Sequence, residues 1–137
     1  MDKPSNPVVL VLAFFAAGNL ANAAWMLIAP EHWYFNLPAR VPGTGPLNEH
    51  FIRDIGCVFG VMGIGLSVAV RVRAYRVPVM LGVTGWYAFH ALVHVYDTAR
   101  GALGPEYWRI DLAGVYLPTL LLVAVTGWIR RVERPQA

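Results

Sequence analysis

The chain carries four runs of mostly apolar residues, at approximately 7–28, 51–72, 77–96 and 110–129. Each has about the 20 residues that a helix needs to cross the roughly 30 Å hydrocarbon core of a bilayer. Lipid offers no hydrogen-bond partners, so a backbone crossing it must be a helix or part of a closed β-barrel. Barrel strands show about ten residues of alternating polarity, and these runs do not alternate. The expected fold is therefore an all-α membrane protein, a four-transmembrane-helix bundle forming a single domain over 1–137, with a proline-rich loop at 29–50. Composition agrees, since 57% of residues are hydrophobic and 14% charged, against roughly 25% charged in soluble domains.

The first run competes with a signal peptide, because VVLVLAFFAA is followed by ANA at 21–23. A retained helix is expected instead, since only Lys3 beside Asp2 precedes the apolar run, which continues through Trp25, Met26, Leu27 and Ile28. The single cysteine, Cys57, lies in an apolar run without an intrachain partner and carries no information on redox compartment.

Basic residues set the expected orientation. The second connection holds Arg71, Arg73 and Arg76 and the tail holds Arg130, Arg131 and Arg134, whereas the first connection holds only Arg40. In the third, Arg100 and Arg109 are balanced by Asp97, Glu106 and Asp111. Both termini and the middle loop are thus expected in the cytoplasm. The pI of about 9.4 follows from this bias, so it implies contact with anionic lipid and no nucleic-acid partner.

On that topology the polar residues fall toward one face of the membrane. His50, Arg53 and Asp54 open the second helix, His90, His94 and Asp97 close the third, Arg109 and Asp111 open the fourth, and Asn19 and Asn22 lie in the matching half of the first. At 100° per residue His90, His94 and Asp97 share a stripe about 60° wide, which Trp86 extends inward. His50, Asp54 and Cys57 form a second stripe. Gly56, Gly60 and Gly63 sit on roughly the opposite face of that helix, a spacing that lets another backbone approach closely.

APEHWYFNL at 29–37 also resembles GPEYWRIDL at 104–112, sharing Pro, Glu, Trp and Leu 75 residues apart. The same offset lays Asn19 on His94 and Asn22 on Asp97. Two parallel helical-hairpin repeats would account for it.

Ionisable residues inside a membrane helix are costly, so they mark functional candidates. Imidazole suits zinc, copper and iron, and a histidine pair at i, i+4 offers two nitrogens to one ion. The expected metal set is His50, Asp54, His90, His94 and Asp97, supported by Asn19, Asn22, Arg53, Arg109 and Asp111 as polar or ion-pair residues. An ion with an open position could act on a lipid-soluble substrate. Haem on an axial histidine, or quinone hydrogen-bonded by His94 or Asp97, are alternative cofactors. In the other class of reading the chain is a non-catalytic accessory subunit of a larger membrane complex, or self-associates, and the His/Asp cluster is an inter-helix hydrogen-bond network. No catalytic residue is named by the pattern.

PLNEHFIRDIG at 46–56, followed one helix later by FHALVHVYD at 89–97, resembles a group of small bacterial four-helix integral membrane proteins, loosely similar in size and layout to the DoxX-like proteins. The resemblance implies a four-helix bundle in the bacterial inner membrane. It implies no activity and no cofactor.

Overall fold

The computed structural model describes residues 7–133; Asp2, Lys3 and Arg134, which enter the topology reading above, lie outside them. Among the described residues the fold is helical, with no strand. In chain order the helices are α1 (Pro7–Ile28), α2 (Pro30–Asn36), α3 (Glu49–Arg71), α4 (Arg76–Ala99), α5 (Tyr107–Asp111) and α6 (Leu117–Val132). A π-turn over Leu112–Tyr116 joins α5 to α6, so Tyr107–Val132 runs as 26 continuous helical residues.

Local chemistry explains the boundaries. α1 ends where Pro30 fixes a new first helical turn and displaces Ala29 from the helical region, at φ −136°. The resulting short α2 lies inside the 29–50 loop, which the sequence reading treats as irregular. α3 starts two residues earlier than expected because Asn48 caps it, its Oδ1 accepting from the Phe51 N–H at 3.0 Å. Glu49 in its first turn and Arg71 in its last complement the helix dipole. Pro118 accounts for the π-turn: it has no N–H, and its ring would collide with the carbonyl four residues back in a regular helix.

Three of the four expected helices, α1, α3 and Tyr107–Val132, are long and apolar enough to cross a membrane. With 24 residues α4 has the length, but Trp86, Tyr87, His90 and His94 dilute its apolarity and it is not among the three.

α1 packs along α3, α4 along α6, and the pairs join through α3 and α4. The glycine face of α3 makes the first contact possible. A Cβ on Gly63 would lie 2.6 Å from Leu20 Cγ, and one on Gly56 would lie 3.0 Å from Met26 Cβ. At the end of the bundle holding Arg76, all four long helices meet in one apolar core that includes Leu12, Leu66, Met80, Leu122 and Ile129. That core is closed by an ionic clasp. Arg76, 1% exposed, donates from Nη1 to Glu133 Oε1 at 2.8 Å and from Nε to the Ala69 carbonyl at 3.3 Å, and Arg73 donates to the other Glu133 oxygen.

The opposite end, which holds α2 and α5, is built differently. A smaller core of Met26, Tyr34 and Ile52 lies beneath the loop. Two tyrosine hydroxyls tie the loop down, Tyr34 donating to the Gly45 carbonyl and Tyr107 to the Arg40 carbonyl, each at 2.8 Å.

Candidate functional site

Trp86, His90 and His94 follow one another at four-residue spacing on α4 and form a ladder of rings. Trp86 and His90 stack at 5.1 Å with 12° between planes, and His90 meets His94 edge-on at 4.6 Å. Trp86 is itself wedged by Phe59 of α3 at 5.0 Å and by Tyr87 at 5.2 Å. The ladder is therefore anchored to the middle of the bundle. The Tyr87 hydroxyl reaches toward Asn19 Oδ1 of α1 at 3.5 Å, and Thr119 of α6 donates to the Tyr87 carbonyl at 3.2 Å.

The ladder ends on a buried carboxylate. His94 Nδ1 lies 2.8 Å from Asp111 Oδ2, with the aspartate side chain fully buried and the histidine side chain 17% exposed. An ionised aspartate accepts here from Nδ1–H, and an imidazole in that tautomer keeps its lone pair on Nε2. The second aspartate oxygen, Oδ1, is buried with no hydrogen-bond partner, as are the hydroxyls of Tyr116 and Thr98. Asp111 is the last residue of α5, and the π-turn begins immediately after it. The extra residue in that turn rotates α5 relative to α6, so Asp111 points at α4 while Leu117 and the outer face of α6 stay exposed. Among the described residues His90 makes ring contacts and no hydrogen bond, which leaves both its nitrogens uncommitted.

The remaining residues singled out in the sequence lie elsewhere. His50 and Asp54 pair with each other at 3.5 Å, with side chains 90% and 59% exposed, on the face of α3 turned away from α1. Arg53 pairs with Glu49 at 2.8 Å. Asp97 pairs with Arg100 at 2.8 Å, and that guanidinium lies 5.3 Å over the Tyr96 ring. Asn22 Oδ1 accepts from the Trp33 indole at 3.0 Å, and Asn19 donates to the Phe15 carbonyl at 2.8 Å. Arg109 is not the partner of Asp111; it lines a cavity with Arg40 and Glu106. The structure thus brings His90, His94 and Asp111 together, and leaves His50 and Asp54 in one exposed pair and Asp97, half-buried, in another with Arg100.

Among the described residues, no three His, Cys, Asp or Glu side chains are grouped so as to hold one ion. The cluster offers two first contacts, His90 and His94, with Asp111 behind the second. Two imidazoles fit a site that takes its other ligands from water, substrate or another chain; they do not fit a closed four-ligand structural site. Without an ion, the Asp111–His94 pair is a carboxylate-oriented imidazole whose Nε2 can take a proton from a hydroxyl.

Two features escaped the sequence reading. One is the π-turn, whose available signal was Pro118 eight residues inside an apolar run. The other is the weight of Asp111: helices joined by a short connection run antiparallel, so the end of α4 had to meet the start of the next helix. Comparison with family models, curated proteins and solved structures returned no match for this chain.

Proposed function

We propose that the chain is a four-span protein of the bacterial inner membrane, with α4 as the fourth span, the Arg76 end in the cytoplasm, and a ligand site at the α2 and α5 end. In this reading His90 and His94 are the protein ligands of a transition-metal ion, zinc, copper or iron, with Asp111 fixing the His94 ring. The supporting observation is the buried His94 Nδ1 to Asp111 Oδ2 contact at 2.8 Å, the arrangement by which a ligating imidazole is held in one tautomer and one orientation. The burial of an aspartate whose second oxygen lacks a partner adds to it, since such an atom in a folded interior calls for a further group. A metal there supplies Lewis acidity toward an oxygen of a lipid-soluble substrate. In this reading His94 would ligate through Nε2, and Trp86, stacked on His90 and packed against Phe59, forms the apolar wall on the inner side.

The test is metal content and absorption of protein purified without chelator or added metal. Stoichiometric metal in the wild type that disappears in His90→Ala, His94→Ala supports the reading. Iron accompanied by a Soret band assigns haem instead; a metal-free folded wild type overturns the reading, and in that case an extracted quinone assigns the dyad to quinone binding.

A second reading, the accessory subunit, draws on a different observation. The His50 and Asp54 pair faces out of the bundle on α3, and an ion-paired face turned toward lipid gains from a partner helix. Native mass in mild detergent tests it, with a stable lone monomer as the contrary result.

A further inference from the structure

Where the loop meets α5, Arg40, Glu106 and Arg109 surround an open cavity of about 270 Å³ with Ile110 as its apolar wall. Among the described residues none of the three charged side chains has an ion-pair or hydrogen-bond partner, although every other acidic side chain at this end of α3 and α4 has one. All three side chains are exposed, so the cavity is an open surface site whose charges are free to meet a ligand from solvent.

The backbone is shaped to hold them there. Arg40 is the one non-glycine residue among those described with a positive φ, at 49°, a conformation that L-residues avoid unless their surroundings impose it. Here two donors impose it, since its carbonyl accepts from the Tyr107 hydroxyl at 2.8 Å and from the Gly43 N–H at 2.9 Å. Tyr107 is 4% exposed, and a side chain at Gly43 would collide with its hydroxyl. The loop residue is thereby locked onto α5, two residues before Arg109 on the same helix as the pinning tyrosine.

We propose that this cavity binds a phosphate-bearing head group that carries an amine, of the phosphoethanolamine type. Two guanidinium forks match the oxygens of a phosphate, and Glu106, which lines the same cavity with its carboxylate over Gly104, matches an ammonium. The cavity is open on one side, so a head group can sit in it while acyl chains lie outside. That the head group belongs to a lipid rests on the four-span reading; the charge complementarity does not.

The test is native mass spectrometry of the intact chain in a maltoside detergent, with dioleoyl phosphatidylethanolamine, dioleoyl phosphatidylglycerol or soluble phosphoethanolamine added. Wild type is expected to retain the ethanolamine lipid at least fivefold better than the glycerol lipid. Arg40→Asn, which tolerates positive φ, combined with Arg109→Gln should lower that retention at least tenfold, and Glu106→Gln should erase the preference between the lipids. Soluble phosphoethanolamine binding as well as the lipid would assign the same chemistry to a free solute. Equal retention of both lipids by wild type, or unchanged retention by the double variant, overturns the proposal. Should the double variant fail to fold, the wild type decides alone: retention that does not fall as sodium chloride is raised to 0.5 M is contrary to guanidinium recognition. Metal content is read in parallel and is expected to be unchanged in both variants, which separates failure here from failure of the histidine site.

Discussion

The two ends of the bundle treat buried charge in opposite ways. At the Arg76 end the guanidinium is enclosed, but Glu133 and the Ala69 carbonyl meet it, and the helices close over a shared apolar core. At the α2 and α5 end Asp111 is equally enclosed, yet only one of its oxygens is met, and two neighbouring hydroxyls are also without partners. A buried ion pair completed within the fold is a structural fastening. A buried carboxylate left half-satisfied, beside a histidine pair and a π-turn, is the observation on which the proposed site rests. The comparison separates polar residues that hold the bundle together from those free to hold something else.

The largest expected effect comes from making the same isosteric change at both ends. Glu133→Gln removes the charge facing buried Arg76 and should cost about 3 kcal/mol, whereas Asp111→Asn, which also relieves an unmet carboxylate oxygen, should cost no more than about 1 kcal/mol. Reversible unfolding in mixed micelles measures both, and equal costs would dissolve the distinction. Next, Gly63→Leu forces α1 away from α3, because even a Cβ at 63 meets Leu20 at 2.6 Å. Overpacking of this kind costs about 2 kcal/mol and should leave ligand binding at the far end in place.

A smaller effect concerns pH. Burial pushes the Glu133 carboxyl up, but hydrogen bonds from Arg76 and Arg73 outweigh it and hold the group below the usual carboxylate range. A depressed folded value means that the stabilisation is complete above the unfolded value of about 4.3 and is lost as pH falls through the folded one. The melting temperature should therefore be flat near neutrality in respect of this group and fall below about pH 4, and Glu133→Gln should remove that part of the decline. The smallest effect is expected from His50→Ala with Asp54→Asn, an exposed pair whose loss should leave the melting temperature unchanged within error.

Much of this architecture was legible in the chain. The bounds of α1 follow from its apolar run and Pro30, and the gathering of polar residues toward one end follows from antiparallel helices. The pairing of His90 with His94 needed only the helical repeat. His50 and Asp54 were harder, because helical spacing says that two residues share a face and not which neighbour the face meets. The glycines held that information: Gly56, Gly60 and Gly63 face α1, so the opposite stripe of α3 turns outward. The role of Asp111 depended on a rotation by the π-turn, which arises from Pro118 within a packed helix and leaves no mark on hydrophobic periodicity. The short α2 was masked by the prolines that surround it, although Pro30 at a first turn is itself a helix-start signal.

The most direct test is metal stoichiometry in three proteins purified side by side without chelator: wild type, His90→Ala with His94→Ala, and His50→Ala with Asp54→Asn. A fixed ratio of metal to chain in the first and third, and none in the second, is the expected result. A folded wild type without metal, or a loss confined to the His50 and Asp54 variant, would contradict the placement of the site on α4 and α5.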